Sequence, residues 1–196
     1  MNPPVEQNVE SAPAVGSGWK VEPQSSTHYT VHLWGDLGLG WFGRLATALA
    51  QRGLNIESAQ AVRDADSTWS GTLQLSTSGS LGVDVDPRSL DYVALCNPGC
   101  AVGHEVNLHC DSHRLVRTET GTLQLRIIAV DQLGLLSSLL DRLQFLGLFP
   151  EHLRVTTTGP FVDDTLWLRG VAGHPPSTQA EQALRELLIR ITGPAN

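Results

Sequence analysis

The sequence has little positive charge and no apolar run long enough to cross a bilayer. Thirteen lysine and arginine residues stand against twenty aspartate and glutamate residues, which gives a formal net charge of −7. No basic stretch could follow a phosphate backbone, which argues against direct nucleic-acid binding. The lack of a bilayer-length apolar run argues against a membrane-spanning helix. We therefore expect a small molecule or a protein as the partner.

Cysteine and lysine are scarce as well. Three cysteines are an odd number, and the first residues lack the basic region and apolar core of a secretory signal. We therefore expect a reducing, cytoplasmic setting and no disulfide scaffold. The one lysine is Lys20. Because the sequence has no nucleophile elbow and no Gly-x-x-x-x-Gly-Lys loop, it indicates no catalytic residues, and we expect a protein that is not an enzyme.

Residues 1–27 are predicted to form a disordered lead. The stretch contains four prolines and shows no apolar periodicity. Only the piece around Trp19 has extended character. Ordered structure is expected from Tyr29 onward, where alternating β-branched and aromatic residues predict a strand.

A fixed offset superposes two helical patterns and indicates a tandem duplication. Each pattern is an i, i+3, i+4, i+7 apolar stripe that follows one glycine and ends before another. Gly40 matches Gly134, and Gly53 matches Gly147. The stripes are Phe42, Leu45, Ala46 and Leu49 in one copy and Leu136, Leu139, Leu140 and Leu143 in the other. We therefore expect unit 1 over residues 28–112 and unit 2 over residues 113–196.

Each unit is predicted to have an α+β fold. The order strand, helix, strand, strand, helix gives an antiparallel sheet with both helices on one face, which is the ferredoxin-like arrangement. Such a unit needs a fourth strand beside its first. Glu105–Cys110 is predicted to supply it in unit 1. The C-terminal residues of unit 2 are too few, so we predict a permuted unit in which Arg114–Glu119 pairs antiparallel with Leu123–Val130.

Two stretches resemble the motif of the ACT domain family, a regulatory module that senses amino acids. The family pattern is strand, Asp-x-x-Gly-Leu-Leu, helix, Gly-x-Asn-Ile, strand. Asp131–Leu136 matches its first part, and Gly53–Ile56 matches its second. The resemblance covers about residues 28–192. It implies two βαββαβ ACT-type units that bind an amino acid, act by allosteric regulation and join their sheets or stack their helices in an oligomer.

The two units keep different parts of the family pattern. In unit 1, Asp36 lies four residues before Gly40 instead of three. In unit 2, Phe149–Pro150 stands where unit 1 has Asn55–Ile56. This difference favours one composite site, or none, over two equivalent sites.

The glycine turn of unit 1, facing Asn55 from across an interface, is the predicted ligand site. Free N–H groups at the helix start near Gly40 and Trp41 attract a carboxylate. Asp36 or Asp131, or backbone carbonyls of the turn, can hold an ammonium group, and Asn55 offers a donor and an acceptor. The simpler alternative for Asp131 is that it only caps its helix. The predicted ligand-binding residues are Asp36, Gly38, Gly40, Trp41, Asn55, Ile56, Asp131, Gly134 and Leu135.

A cluster of cysteines and histidines lies outside this resemblance. Two thiolates with nearby imidazoles form a donor set that zinc accepts. The set that suits an extended stretch is Cys96, Cys100, His109 and His113, with His104 as a substitute. The Cys-x3-Cys spacing is not a standard zinc motif, and buried thiols with surface histidines are the alternative.

These observations favour a non-catalytic regulatory protein. It is expected to bind an amino acid or a similar metabolite and to signal through a partner protein or as a homo-oligomer, with no nucleic acid and no membrane involved. Two alternatives stay open. One is a structural interaction module that binds no ligand, and the other is a metal- or redox-responsive protein that uses the cysteine cluster.

Overall fold

The computed structural model describes residues 16–64, 66–77, 85–97 and 107–193. Alternating apolar residues in these ranges form strands, and the apolar stripes form helices. In chain order the elements are β1 (Gly18–Pro23), β2 (His28–Gly35), α1 (Trp41–Gln51), β3 (Asn55–Arg63), β4 (Trp69–Ser76), α2 (Tyr92–Leu95), β5 (Ser112–Arg117), β6 (Leu123–Val130), α3 (Leu135–Phe145), β7 (Phe149–Thr158), β8 (Phe161–Arg169) and α4 (Thr178–Ile191). None of the described helices is long and apolar enough to cross a membrane.

All eight strands belong to one antiparallel sheet, in the order β1-β2-β4-β3-β7-β8-β6-β5. The elements from β1 to α2 form the first half of the molecule, and those from β5 to α4 form the second half. Strands β3 and β7 join the halves, with Ser58 opposite Thr156 and Val62 opposite His152. The strand order in each half is compatible with two ferredoxin-like units in tandem.

One hydrophobic core runs beneath the helices of both halves. Every second side chain of the central strands is buried there, as with Leu73 and Leu75 in β4 and Leu166 and Leu168 in β8. The same cluster includes the apolar faces of α1, α3 and α4. Because burial of one leucine side chain is worth about 1.5–3 kcal/mol, this shared core holds the halves together.

Glycines in the left-handed backbone region begin and end the two long helices that face each other. Gly40 precedes α1 with φ of 73°, and Gly134 precedes α3 with φ of 89°. Gly53 and Gly147, just after the helices, both have φ of 69°. Neither helix start has a side chain that accepts a hydrogen bond from its first N–H groups. The two units therefore repeat the same backbone geometry at these glycines as well as the same sequence pattern.

Helices α1 and α3 pack against each other through a glycine. A methyl group built on Gly43 would lie 3.3 Å from Cβ of Leu140. That spacing is tighter than most side-chain contacts, so glycine sets how closely the helices approach. This contact therefore sets the distance between the two helices.

The outer strand of the first half differs from the prediction. β1 pairs antiparallel with β2, so residues 16–27 of the predicted disordered lead are ordered. Glu105–Cys110 is not the outer strand, because residues 107–110 form none and residues 105–106 lie outside the described residues. β1 reaches β2 through a turn in which the Gln24 N–H donates to the His28 carbonyl. Closing this short turn costs less chain entropy than a long-range connection.

The outer strand of the second half is β5. It pairs antiparallel with β6, with Ser112 opposite Ile128 and Arg117 opposite Leu123. The strand lies slightly toward the N-terminus of the range that the sequence predicts, and the Thr118 hydroxyl accepts from the Thr122 N–H in the turn that follows. In both halves, the outer strand comes before its neighbour in the chain: β1 precedes β2, and β5 precedes β6.

Candidate functional site

Two crevices lie between the halves, one at each end of the β3–β7 seam. The antiparallel join places the start of β3 near the end of β6, and the start of β7 near the end of β2. Each glycine turn therefore faces the other half of the molecule. We call the crevice at Asp131, Asn55 and Asp164 the Asp131 crevice, and the crevice at Asp36, Arg63 and Phe149 the Asp36 crevice.

The sequence-based prediction joined the wrong pair of segments. Asn55 and Ile56 do not face the Asp36 turn but line the Asp131 crevice. The Asn55 amide Nδ2 donates to Asp131 Oδ2 at 3.5 Å. The reason is the strand order, which the sequence does not reveal. As a result, the two parts of the ACT-like pattern that the units keep separately meet in one crevice.

Asp131 does not cap its helix. The N-cap position of α3 is Gly134, and no side chain accepts a hydrogen bond there. The Asp131 carboxylate instead lies half-buried beside Asn55, and its main-chain N–H donates to the Pro160 carbonyl. The helix-cap explanation for Asp131 is therefore wrong.

Asp164 adds a second carboxylate to the Asp131 crevice. It stands on the core face of β8, is 1% exposed, and its Oδ1 accepts the Thr156 N–H at 3.3 Å. Burial raises the pKa of Asp164 to about 7, and the nearby charges of Asp131 and Asp163 act in the same direction. Burial also raises the pKa of Asp131, against the lowering effect of the Asn55 hydrogen bond. The crevice is acidic and has a volume of about 30 Å³.

The Asp36 crevice is larger and carries both signs of charge. Its volume is about 190 Å³. Asp36 and Gly38 line it from the turn after β2, and the Gly38 N–H donates to Asp36 Oδ1 at 3.2 Å. Arg63 lines it from the end of β3, and Arg169 from the end of β8. The cavity therefore offers a carboxylate and guanidinium groups to one bound molecule.

The two arginines of the Asp36 crevice differ in their partners. Arg169 Nε donates to Glu151 Oε2 at 2.9 Å, and that carboxylate also accepts from the Thr122 hydroxyl. The Arg63 side chain is exposed, and its guanidinium has neither a hydrogen-bond partner nor an ion-pair partner among the described residues. Arg63 is thus the cation in this crevice that stays available to an anionic group.

A small side pocket of about 20 Å³ adjoins the Asp36 crevice. The two cavities share Leu39, Trp69, Phe149 and Pro150 in their walls. Trp41 lines this side pocket, and its side chain is only 1% exposed. Its ring packs edge-on against Phe42 and Trp69, with centroid distances of 5.2 and 5.4 Å.

The remaining predicted site residues line the side pocket or the Asp131 crevice. Gly40 lines the side pocket, where a methyl group built on it would lie 2.8 Å from Gln144 Oε1. Gly134 and Leu135 line the Asp131 crevice, with Leu135 buried in the core. Ligand contact by any of these residues stays a prediction.

Sequence reasoning missed Arg63, Arg169 and Asp164. Arg63 is the last residue of β3. In the structure, Arg63 pairs with Trp69 across β3 and β4, and Arg169 pairs with Phe149 across β8 and β7. Both arginine–aromatic pairs stand at strand ends on the same edge of the sheet. Asp164 could have been found from the sequence, because it is an acidic residue at a position where the alternation of β8 predicts an apolar side chain.

The cysteine and histidine cluster does not assemble in the described part of the chain. No three His, Cys, Asp or Glu side chains there lie close enough to hold a metal ion. Cys96 is buried, and burial raises the pKa of its thiol to about 12. His113 Nδ1 lies 2.7 Å from the Thr192 hydroxyl. His109 is half-buried, and the fourth predicted ligand, Cys100, lies outside the described residues.

Comparison with known proteins shows similarity to a solved structure. No protein-family model matches the chain, and no curated protein matches it. Among solved structures, aspartate kinase from Synechocystis is similar with a TM-score of 0.46 and 17% sequence identity. The match covers 83% of this chain and 26% of the kinase chain, so this chain spans about a quarter of that enzyme's length.

Proposed function

We propose that this chain is a non-catalytic regulatory protein that binds an amino acid or a similar small zwitterion in the Asp36 crevice. The observation that carries the proposal is the unpaired guanidinium of Arg63 in a cavity that also presents the Asp36 carboxylate. Arg63 would take the ligand carboxylate, and Asp36 would take its ammonium group. Charge-assisted hydrogen bonds of this kind are stronger than neutral ones.

Cavity size favours the Asp36 crevice over the Asp131 crevice. A cavity needs a volume of roughly 10–15 Å³ to hold one water molecule. The Asp131 crevice, at about 30 Å³, has room for two or three waters, whereas the Asp36 crevice has about 190 Å³. The larger space suits a molecule with on the order of a dozen non-hydrogen atoms. Trp69, Phe149 and Pro150 would cover the apolar part of that molecule.

Signalling is the second part of the proposal. A ligand held by Asp36 and Arg63 of the first half would also contact Phe149 and Pro150 of the second half, and would so change the free energy of the contact between the halves. That change would reach a partner protein or a second copy of the chain in the cytoplasm. Light scattering with and without ligand tests whether the assembly state follows binding.

The resemblance to the ACT family supports both the regulatory role and the fold of the two units. We propose that both halves are permuted ferredoxin-like units, because β1 and β5 precede the strands beside which they lie. In length and two-unit layout, the chain resembles the stand-alone tandem proteins typified by the glycine cleavage system transcriptional repressor. A role of that kind requires no catalytic residue.

A thermal-shift screen of the twenty amino acids tests the proposal. Ligand at a hundred times its Kd adds about 2.7 kcal/mol of stability, which raises Tm by roughly 5–10 °C. Asp36→Asn should lose this rise, because the ammonium group loses its counter-charge. The matched control is Asp111→Asn, which changes an exposed carboxylate away from the crevice and should keep the rise. No rise with any amino acid would contradict the proposal.

A further inference from the structure

The described helices cover one face of the eight-stranded sheet and leave its other face uncovered. Leu73 of β4 and Leu166 of β8 are buried in the core that the helices share. Their chain neighbours Thr72 and Thr165 are only half-buried, because successive side chains of a strand point to opposite faces. We call the face away from the helices the open face.

Two rows of side chains cross the open face from strand to strand. Directly opposed residues of antiparallel strands share a face, so the strand pairings define each row. The first row contains the apolar and aromatic residues Trp34, Val62, His152, Trp167 and Val116. The second row contains the basic residues Lys20, His32, Arg154, Arg126 and Arg114, with threonine and glutamine between them. The rows are two residues apart along each strand, which is about 7 Å.

The basic row has free guanidinium groups in the second half of the molecule. Arg126 is paired, because its Nε and Nη2 donate to the Asp163 carboxylate at 2.7 and 2.6 Å. Those hydrogen bonds lower the pKa of Asp163, and the charge of Arg154 acts in the same direction. The guanidinium groups of Arg114 and Arg154 have no hydrogen-bond or ion-pair partner among the described residues, and both residues are exposed. The three arginines span four neighbouring strands, or about 14 Å.

The sign of this charge indicates what the open face can bind. The whole chain has a net charge of −7, so a positive row attracts an anionic partner to one face in particular. A second copy docked face to face would bring arginines against arginines. A long nucleic-acid strand would extend beyond the row over an acidic molecule, which would repel its phosphates. A short acidic segment of another protein needs the row alone.

We propose that the open face binds an acidic amphipathic helix of a partner protein. Carboxylates along one side of that helix pair with Arg114 and Arg154, and apolar side chains along the other side pack on Val62, Trp167 and Val116. A helix suits the two rows because it presents two adjacent stripes of side chains, whereas an extended segment presents one line of them to a surface. The two rows share no residue with the Asp36 crevice, so this inference does not depend on ligand binding there.

A labelled peptide tests the proposal by fluorescence anisotropy. A helix of about fourteen residues is about 21 Å long and can follow both rows. The probe is a peptide of this length with leucines and glutamates on opposite sides of the helix, and its control has lysines in place of the glutamates. The acidic peptide should bind, more weakly at about 200 mM salt than at about 50 mM, and the lysine peptide should not bind.

Charge reversal of the free arginines tests which surface the peptide uses. The double variant Arg114→Glu, Arg154→Glu should bind the acidic peptide on the order of tenfold more weakly or worse, because two attractive charges become repulsive. The matched control Arg142→Glu, Arg190→Glu reverses two exposed arginines on α3 and α4, away from the open face, and should bind like the natural chain. Thermal unfolding confirms that each variant is folded.

The apolar row has its own variant and the probe has a competitor. Val62→Ser with Val116→Ser should weaken binding of the acidic peptide several-fold. No binding of that peptide, or equal affinity in the Arg114 and Arg154 variant and its control, would overturn the inference. Tighter binding of a uridine oligonucleotide than of the peptide would also overturn it, in favour of nucleic acid. Because no amino acid is present, these outcomes leave the proposed function to its own ligand screen.

Discussion

The indole ring of Trp41 lies against Gly71, with Cη2 3.6 Å from the position that a Cβ atom on Gly71 would take. Gly71 stands in β4 where the second half has Asp164 in β8, as the match of Thr72 with Thr165 indicates. In the first half, the Trp41 ring therefore lies over Gly71. In the second half, Leu135 and the buried carboxylate of Asp164 stand at the matching positions. This exchange gives the side pocket an aromatic wall and the Asp131 crevice a second carboxylate.

The contact between Trp41 and Gly71 predicts different effects of two substitutions. Gly71→Ala should change the free energy of unfolding by less than about 1 kcal/mol, because the added methyl meets Ala61 and Trp41 at ordinary contact distances. Gly71→Asp should lower it by about 2–4 kcal/mol, because a carboxylate would be pressed under the ring without a partner. Urea denaturation measures both. Equal stability of the two variants would contradict the contact.

Asp164 should make stability depend on pH. Its pKa is about 7 in the folded chain against an ordinary value of 3.8, so the folded state binds the proton more tightly. The stability from the protonated form is complete below about pH 4 and is lost as pH rises through 7. Asp164→Asn should remove this loss and be more stable than the natural chain at pH 8, by roughly 2–4 kcal/mol.

A neighbouring carboxylate provides the control for Asp164. Asp163 is paired with Arg126, whose hydrogen bonds hold the pKa of Asp163 below its usual range. Asp163→Asn should therefore leave the loss of stability between pH 4 and 7 in place. Denaturation curves from pH 4 to pH 8 decide the matter. An unchanged pH profile in Asp164→Asn would show that another group is responsible.

The close approach of α1 and α3 at Gly43 predicts a graded response. Gly43→Ala adds a methyl 3.3 Å from Leu140 Cβ, so α3 must yield by a few tenths of an ångström, while alanine favours the helix by about 1 kcal/mol. The two effects should nearly cancel. Gly43→Leu forces the helices apart and should cost about 1–3 kcal/mol. Thermal unfolding of both variants checks this, and a Leu variant as stable as the natural chain would rule out the tight packing.

Local elements were predictable from the sequence because their signals are local. The stripe from Phe42 to Leu49 and the flanking glycines place α1, and the alternation at Leu123–Val130 gives β6 with its observed bounds. The outer strand of the first half was not predictable in the same way. β1 carries Gly18 and Pro23 and few apolar residues, so its order comes from pairing with β2 rather than from its own composition.

The composition of the crevices depended on how the two halves meet. Sequence patterns indicate Asp36, Asp131 and Asn55 as site residues, but not which of them lie together. The β3–β7 join decides that Asn55 meets Asp131 and that Asp36 meets the start of β7. Arg63 acquires its position from the same join. Such long-range contacts leave no periodic trace in one sequence.

Calorimetry on Arg63→Ala tests the central claim most directly. The best ligand of the amino-acid screen is titrated into the natural chain, Arg63→Ala and the charge-matched control Arg114→Ala, an exposed arginine on β5. Loss of the guanidinium–carboxylate contact should weaken binding by roughly 1.5–3 kcal/mol, or about ten- to a hundredfold, while the control binds like the natural chain. Equal affinity in all three proteins would contradict binding in the Asp36 crevice.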